Sequence, residues 1–83
     1  MSSSFAIDHV VDCRGMLCPM PIIRLRQALD RAQQGQVLQV LATDPASVQD
    51  MPAFARNTGH DLLESTSKGS VYEYLFRKAE AGA

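Results

Sequence analysis

The sequence predicts a two-layer α/β sandwich of order β-α-β-α-β-β, a four-stranded mixed sheet with two helices on one face. Three observations carry this. Two segments with apolar residues at helical spacing, 21–34 and 44–58, each follow a strand-like stretch. Two further strand-like stretches end the chain, separated only by Ser67-Lys68-Gly69-Ser70, which makes an antiparallel hairpin. Right-handed crossovers between the first strands then leave both helices on the same side of the sheet.

Ile7-Asp8-His9-Val10-Val11-Asp12 reads as the first strand, followed by a loop from Cys13 to Cys18 with Gly15 as its flexible point. The first helix is expected from Pro21 to Gln34. Ile22, Leu25, Ala28, Leu29 and Ala32 mark its apolar face, and Gly35 ends it. Gln36 to Ala42 is rich in apolar residues, as a central strand should be. In Thr43-Asp44-Pro45 the aspartate is the expected N-cap and the proline the first helical residue. Val48, Met51, Phe54, Ala55 and Thr58 form the expected buried stripe of the second helix. Pro52 should kink or restart it, with Asp50 as a fresh cap. Leu62–Thr66 and Val71–Lys78 are the hairpin strands. Val71, Glu73, Leu75 and Arg77 alternate with Tyr72, Tyr74, Phe76 and Lys78, and the aromatic set reads as core rather than as a docking strip.

With 83 residues the chain makes one domain, 1–83, with residues 1–5 and 79–83 expected to be flexible. A hydrophobic share of 46% argues for a folded chain, and a net charge of -1 supplies no general pull toward nucleic acid or membrane. Neither is an expected partner. Two cysteines are too few for a disulfide framework, and Met1-Ser2-Ser3-Ser4-Phe5 lacks the charged and apolar parts of a secretion signal, so the expected setting is the reducing cytoplasm. Cys13, Cys18, His9 and His60 lack the spacing of a closed zinc site, so no metal is expected. Solvated surface positions account for both histidines.

The most informative segment is Leu17-Cys18-Pro19-Met20-Pro21. Proline fits a first helical turn, so Cys18 stands at the start of a helix, where unpaired N–H groups and the macrodipole favour an anion. A thiolate is the nucleophilic form of cysteine, and Arg14 and Arg24 are the candidates for electrostatic support. This reading expects a Cys18 pKa below the reference value of about 8.5.

Asp12-Cys13-Arg14-Gly15-Met16-Leu17-Cys18-Pro19-Met20-Pro21 resembles the signature of the TusA, or SirA-like, family of small sulfur carriers: an Asp, a Gly three residues on, then Cys-Pro-x-Pro. Ala42-Thr43-Asp44-Pro45-Ala46, Asp50-Met51-Pro52-Ala53-Phe54 and Tyr74-Leu75-Phe76-Arg77-Lys78 are also similar to that family, so the resemblance covers nearly the whole chain. It implies a persulfide on Cys18 as the catalytic species, with Asp12, Gly15, Pro19 and Pro21 as supporting motif residues. It also implies a cysteine desulfurase or another sulfurtransferase as donor, and a downstream sulfur-acceptor protein. The destination best known for the family is 2-thiouridine in tRNA; molybdenum-cofactor assembly and sulfur oxidation are others.

That role demands no cofactor on this chain, since transfer consists of thiolate attack on a persulfide completed by docking partners. Gly15 is expected to supply a backbone conformation, and Asp12 to accept loop N–H bonds, because a further negative charge beside Cys18 would raise its pKa. Cys13 is expected to be a bystander held away from Cys18. The competing functional classes are a thiol redox protein using both cysteines, disfavoured by their spacing, and a non-enzymatic regulatory binding module.

Overall fold

A computed structural model describes residues 5–79, and most of the expected flexible ends, 1–4 and 80–83, lie outside the described residues. The elements run β1 (His9–Cys13), α1 (Met20–Arg31), β2 (Val37–Ala42), α2 (Ser47–Thr58), β3 (Asp61–Lys68) and β4 (Val71–Arg77). They form a four-stranded sheet of order β1-β2-β4-β3. β1 pairs parallel with β2, β2 antiparallel with β4, and β3 antiparallel with β4. The parallel pair has α1 as its crossover, the connection that parallel strands require.

The core lies between the sheet and the two helices. Alternation selects Val11 and Cys13 from β1, Leu38, Val40 and Ala42 from β2, and Tyr74 and Phe76 from β4. Leu25 and Leu29 of α1 and Met51 and Phe54 of α2 close over them, and Phe54 meets Phe76 edge-on with centroids 5.8 Å apart. Ser47 is buried, and its hydroxyl bonds the Tyr74 hydroxyl at 2.7 Å, so neither oxygen is left unpaired in the core. Leu75, on the opposite sheet face, is also buried.

Several boundaries differ from the sequence-based expectation, each for a local reason. β1 begins at His9 rather than near Ile7. α1 begins at Met20, not Pro21, with Pro19 as the flanking residue, and it stops at Arg31, short of Gln34. Lys78, just past β4, donates from its ammonium to the Leu29 carbonyl, and the Ala32 N–H reaches both Ala28 and Leu29, which closes the helix early. Gly35, at φ 87°, serves the following turn instead. α2 begins at Ser47 because Asp44, Pro45 and Ala46 form preceding turns, with Ser47, Val48 and Gln49 N–H groups bonded three residues back. Pro52 does not break α2. It removes only the N–H that the Val48 carbonyl would have accepted, and Val48 is 51% exposed rather than part of the buried stripe. Ser47 takes the inward position in its place. The hairpin turn is two residues, Gly69-Ser70, with Gly69 at φ 60° and no positive φ at Ser70, the pattern of a type II′ turn.

His60 is half-buried rather than solvated. It stacks on Phe54 and its Nδ1 accepts the Ala79 N–H at 2.9 Å, which ties down the end of the described chain. No helix among the described residues is long and apolar enough to cross a membrane.

Candidate functional site

The loop from β1 to α1 is held by short-range and long-range bonds that together place Cys18. The Asp12 carboxylate accepts the Arg14 backbone N–H at 3.1 Å and its guanidinium at 2.7 and 2.9 Å, which holds the Asp12 pKa down to about 2. Gly15 turns the chain at φ 82°, a backbone that side chains rarely adopt, and donates its N–H to Thr43 Oγ1 at 2.9 Å. Met16 is half-buried against the core, and Leu17 is 71% exposed. The Cys18 N–H then bonds Asp44 Oδ2 at 2.7 Å, while the other Asp44 oxygen accepts the Ala46 N–H at 3.1 Å. Asp44 thus fastens the Cys18 loop to the segment leading into α2. The Cys18–Pro19 peptide is cis.

Cys18 is exposed, at the mouth of a groove of about 270 Å3 lined by Pro19, Ile22, Arg26, Asp50, Ala53, Phe54 and Asn57. One wall comes from α1 and the other from α2. The Arg26 guanidinium lies over the Phe54 ring, 5.5 Å from its centroid. A second hollow, with Asp30, Thr58 and His60 among its lining residues, continues past Arg26, Phe54 and Asn57.

The charges around the thiol are the reverse of those expected. The neighbouring Asp50 carboxylate, which lines the same groove, pushes the Cys18 pKa up rather than down, together with burial and the Asp44 charge. Arg14 is paired with Asp12, and Arg24 lies in a different hollow with Val10, Val11, Asp12, Gln27, Ala28 and Arg31, acting on Cys13. The helix end itself offers little compensation: the Met20 N–H is taken by the Leu17 carbonyl, and Pro21 has none. Alkylation of Cys18 by iodoacetamide, followed against pH in Cys13→Ala, is therefore expected to show a midpoint above that of an ordinary thiol. A midpoint below it would contradict this placement of the carboxylates.

Cys13 is fully buried, its sulfur 4.0 Å from the Pro21 carbonyl oxygen, and burial raises its pKa. Both cysteines are free thiols, one in the core and one at the surface. Pro19 lines the Cys18 groove, whereas Pro21 is buried on the inner face of α1. Among the described residues no three of His, Cys, Asp and Glu group as a metal site would require. Reasoning from sequence missed Arg26, Asn57 and the action of Asp44 and Asp50 on Cys18. From sequence Asp50 reads only as a helix cap; the one available signal is the pair of acidic residues, Asp44 and Asp50, near the start of the second helix.

Comparison with known proteins agrees with this architecture. The family model described as Sulfurtransferase TusA matches residues 9–78. The sulfur carrier protein TusA of Allochromatium vinosum is 44% identical over 72 residues, covering 87% of this chain and 95% of its own length. YrkI of Bacillus subtilis is 41% identical over 71 residues, covering 86% and 95%. The crystal structure of a SirA-like protein from Desulfitobacterium hafniense superposes with a TM-score of 0.76 at 29% identity, covering 88% of this chain and all of that one. The family match over residues 9–78 and the 44% identity to a TusA sulfur carrier, with the sheet and helix arrangement shared with the SirA-like structure, place the chain in the TusA family of sulfur carriers.

Proposed function

We propose that this chain accepts sulfur as a persulfide on Cys18 from a cysteine desulfurase or another sulfurtransferase and passes it to an acceptor protein, serving 2-thiouridine formation in tRNA in the cytoplasm. The observation that carries the reading is the exposure of Cys18 on a loop whose backbone is fixed by Asp44, while the other thiol is buried. In loading, the Cys18 sulfur attacks the outer sulfur of the donor persulfide and the donor leaves as a thiolate. In unloading, an acceptor thiolate attacks that same outer sulfur, and Cys18 is the leaving group. Both steps need the outer sulfur within reach of a second protein, which an exposed residue at a groove mouth permits. The groove walls from α1 and α2 are the surface a docked partner meets first. The near-neutral charge of the chain favours protein partners over direct contact with tRNA.

The destination is tested by nucleoside mass spectrometry of tRNA from a strain lacking this gene. Loss of 2-thiouridine is expected, restored by the wild-type gene and not by Cys18→Ser. Unchanged 2-thiouridine, with Cys18 still loading, would move the destination to another pathway such as molybdenum-cofactor assembly or sulfur oxidation.

A further inference from the structure

Two carboxylates act on Cys18, and the geometry separates their roles. Both oxygens of Asp44 are engaged by backbone N–H groups, of Cys18 and Ala46, so Asp44 is a fixed anchor. Asp50 forms no ion pair among the described residues and lines the same groove as Cys18 from the first turn of α2, leaving its carboxylate free beside the thiol. The cation lining that groove, Arg26, lies over the Phe54 ring.

We propose that Asp50 is a catalytic residue of sulfur loading: it accepts the Cys18 thiol proton as the sulfur attacks the donor persulfide and returns it to the departing donor thiolate. The inference rests on the sulfur-carrier reading. The balance is complete without an added reagent. The Cys18 S–H bond breaks and its proton moves to Asp50; the Cys18 sulfur bonds the outer sulfur of the donor persulfide anion as the donor S–S bond breaks. The proton then passes from Asp50 to the donor thiolate. Cys18 ends as a persulfide anion, the donor as a thiol, and Asp50 as a carboxylate, with no net oxidation. A positioned acid–base group of this kind contributes roughly 10²–10⁴-fold.

The proposal has a test in which two rates are expected to move in opposite directions. Iodide needs no proton when it leaves, so iodoacetamide alkylation reports the thiolate population alone. A thiolate leaving group gains from a returned proton. With Cys13→Ala as background, Asp50→Asn removes a negative charge and is expected to speed alkylation of Cys18 at pH 7 several-fold by lowering its midpoint pH. Sulfur uptake from glutathione persulfide, read by intact mass, is expected to slow by about 10² or more. Asp50→Glu, which keeps a carboxylate, is expected to keep the high alkylation midpoint and to recover uptake to within about tenfold of the background protein. Uptake that rises with alkylation in Asp50→Asn would overturn the proposal and leave Asp50 as a brake on the thiol. Uptake in Asp50→Glu slowed by about 10² would overturn it as well, a result that stands even if Asp50→Asn fails to fold. Absence of uptake in the background protein itself would count against the sulfur-carrier reading instead.

Discussion

Replacing Cys18 by serine is expected to leave a folded protein that accepts no sulfur. Cys18 is exposed, and the bonds that hold its loop run through its backbone N–H and through Gly15 and Asp12, all of which the substitution preserves. The side chain is exposed, so the stability change should stay within about 0.5 kcal/mol, as for most surface substitutions. Chemistry is another matter. An alcohol is far less acidic than a thiol and forms no persulfide, and the remaining thiol, Cys13, is enclosed by the core. Uptake should therefore fall to the level without protein while thermal unfolding is unchanged. Uptake at even a tenth of the wild-type rate would mean that sulfur enters elsewhere.

The largest expected effect on stability is at Phe76. Its ring is fully buried on β4, opposite Leu38 of β2 and Leu62 of β3, with Phe54 edge-on at 5.8 Å. It is where the two layers meet. Phe76→Ala removes that contact and leaves a cavity the sheet cannot close, because the strand register holds the neighbouring backbones apart. A loss of about 3–5 kcal/mol is expected, against a total of about 5–15 kcal/mol for a typical domain. Chemical denaturation at constant m-value is the measurement, and a loss below about 1 kcal/mol would show that the layers are joined mainly elsewhere.

Much of this architecture was legible in the chain. Helical spacing in 21–34 and alternation in 71–78 report burial on one side, and the thiol beside two prolines announces the start of a helix, so element order, hairpin and Cys18 could be read locally. What could not be read depends on which distant segments meet. The strand order β1-β2-β4-β3 brings the end of β2 beside the β1–α1 loop, and only then does Asp44 reach the Cys18 N–H and Asp50 share its groove. Arg14 was expected to assist the thiol because it lies nearby in sequence, yet Asp12, nearer still, captures it in a turn. The rotation of α2 exposes Val48 and buries Ser47 against the Tyr74 hydroxyl, a partner that periodicity within the helix cannot reveal.

The negative surroundings of Cys18 bear on how such a carrier behaves. A thiol whose pKa is pushed up by neighbouring carboxylates presents less thiolate, the species that is alkylated and oxidised.

The most direct measurement is to locate the sulfur. The protein is incubated with a cysteine desulfurase, pyridoxal phosphate and cysteine, trapped by alkylation and cut with trypsin. Cleavage after Arg14 and Arg24 separates the two thiols, leaving Cys18 in the peptide 15–24 and Cys13 in the one before it. One added sulfur on the 15–24 peptide, absent after cysteine is withheld, is the predicted result. Sulfur on the Cys13 peptide, or none on either, would contradict the assignment of Cys18 as the carrying thiol.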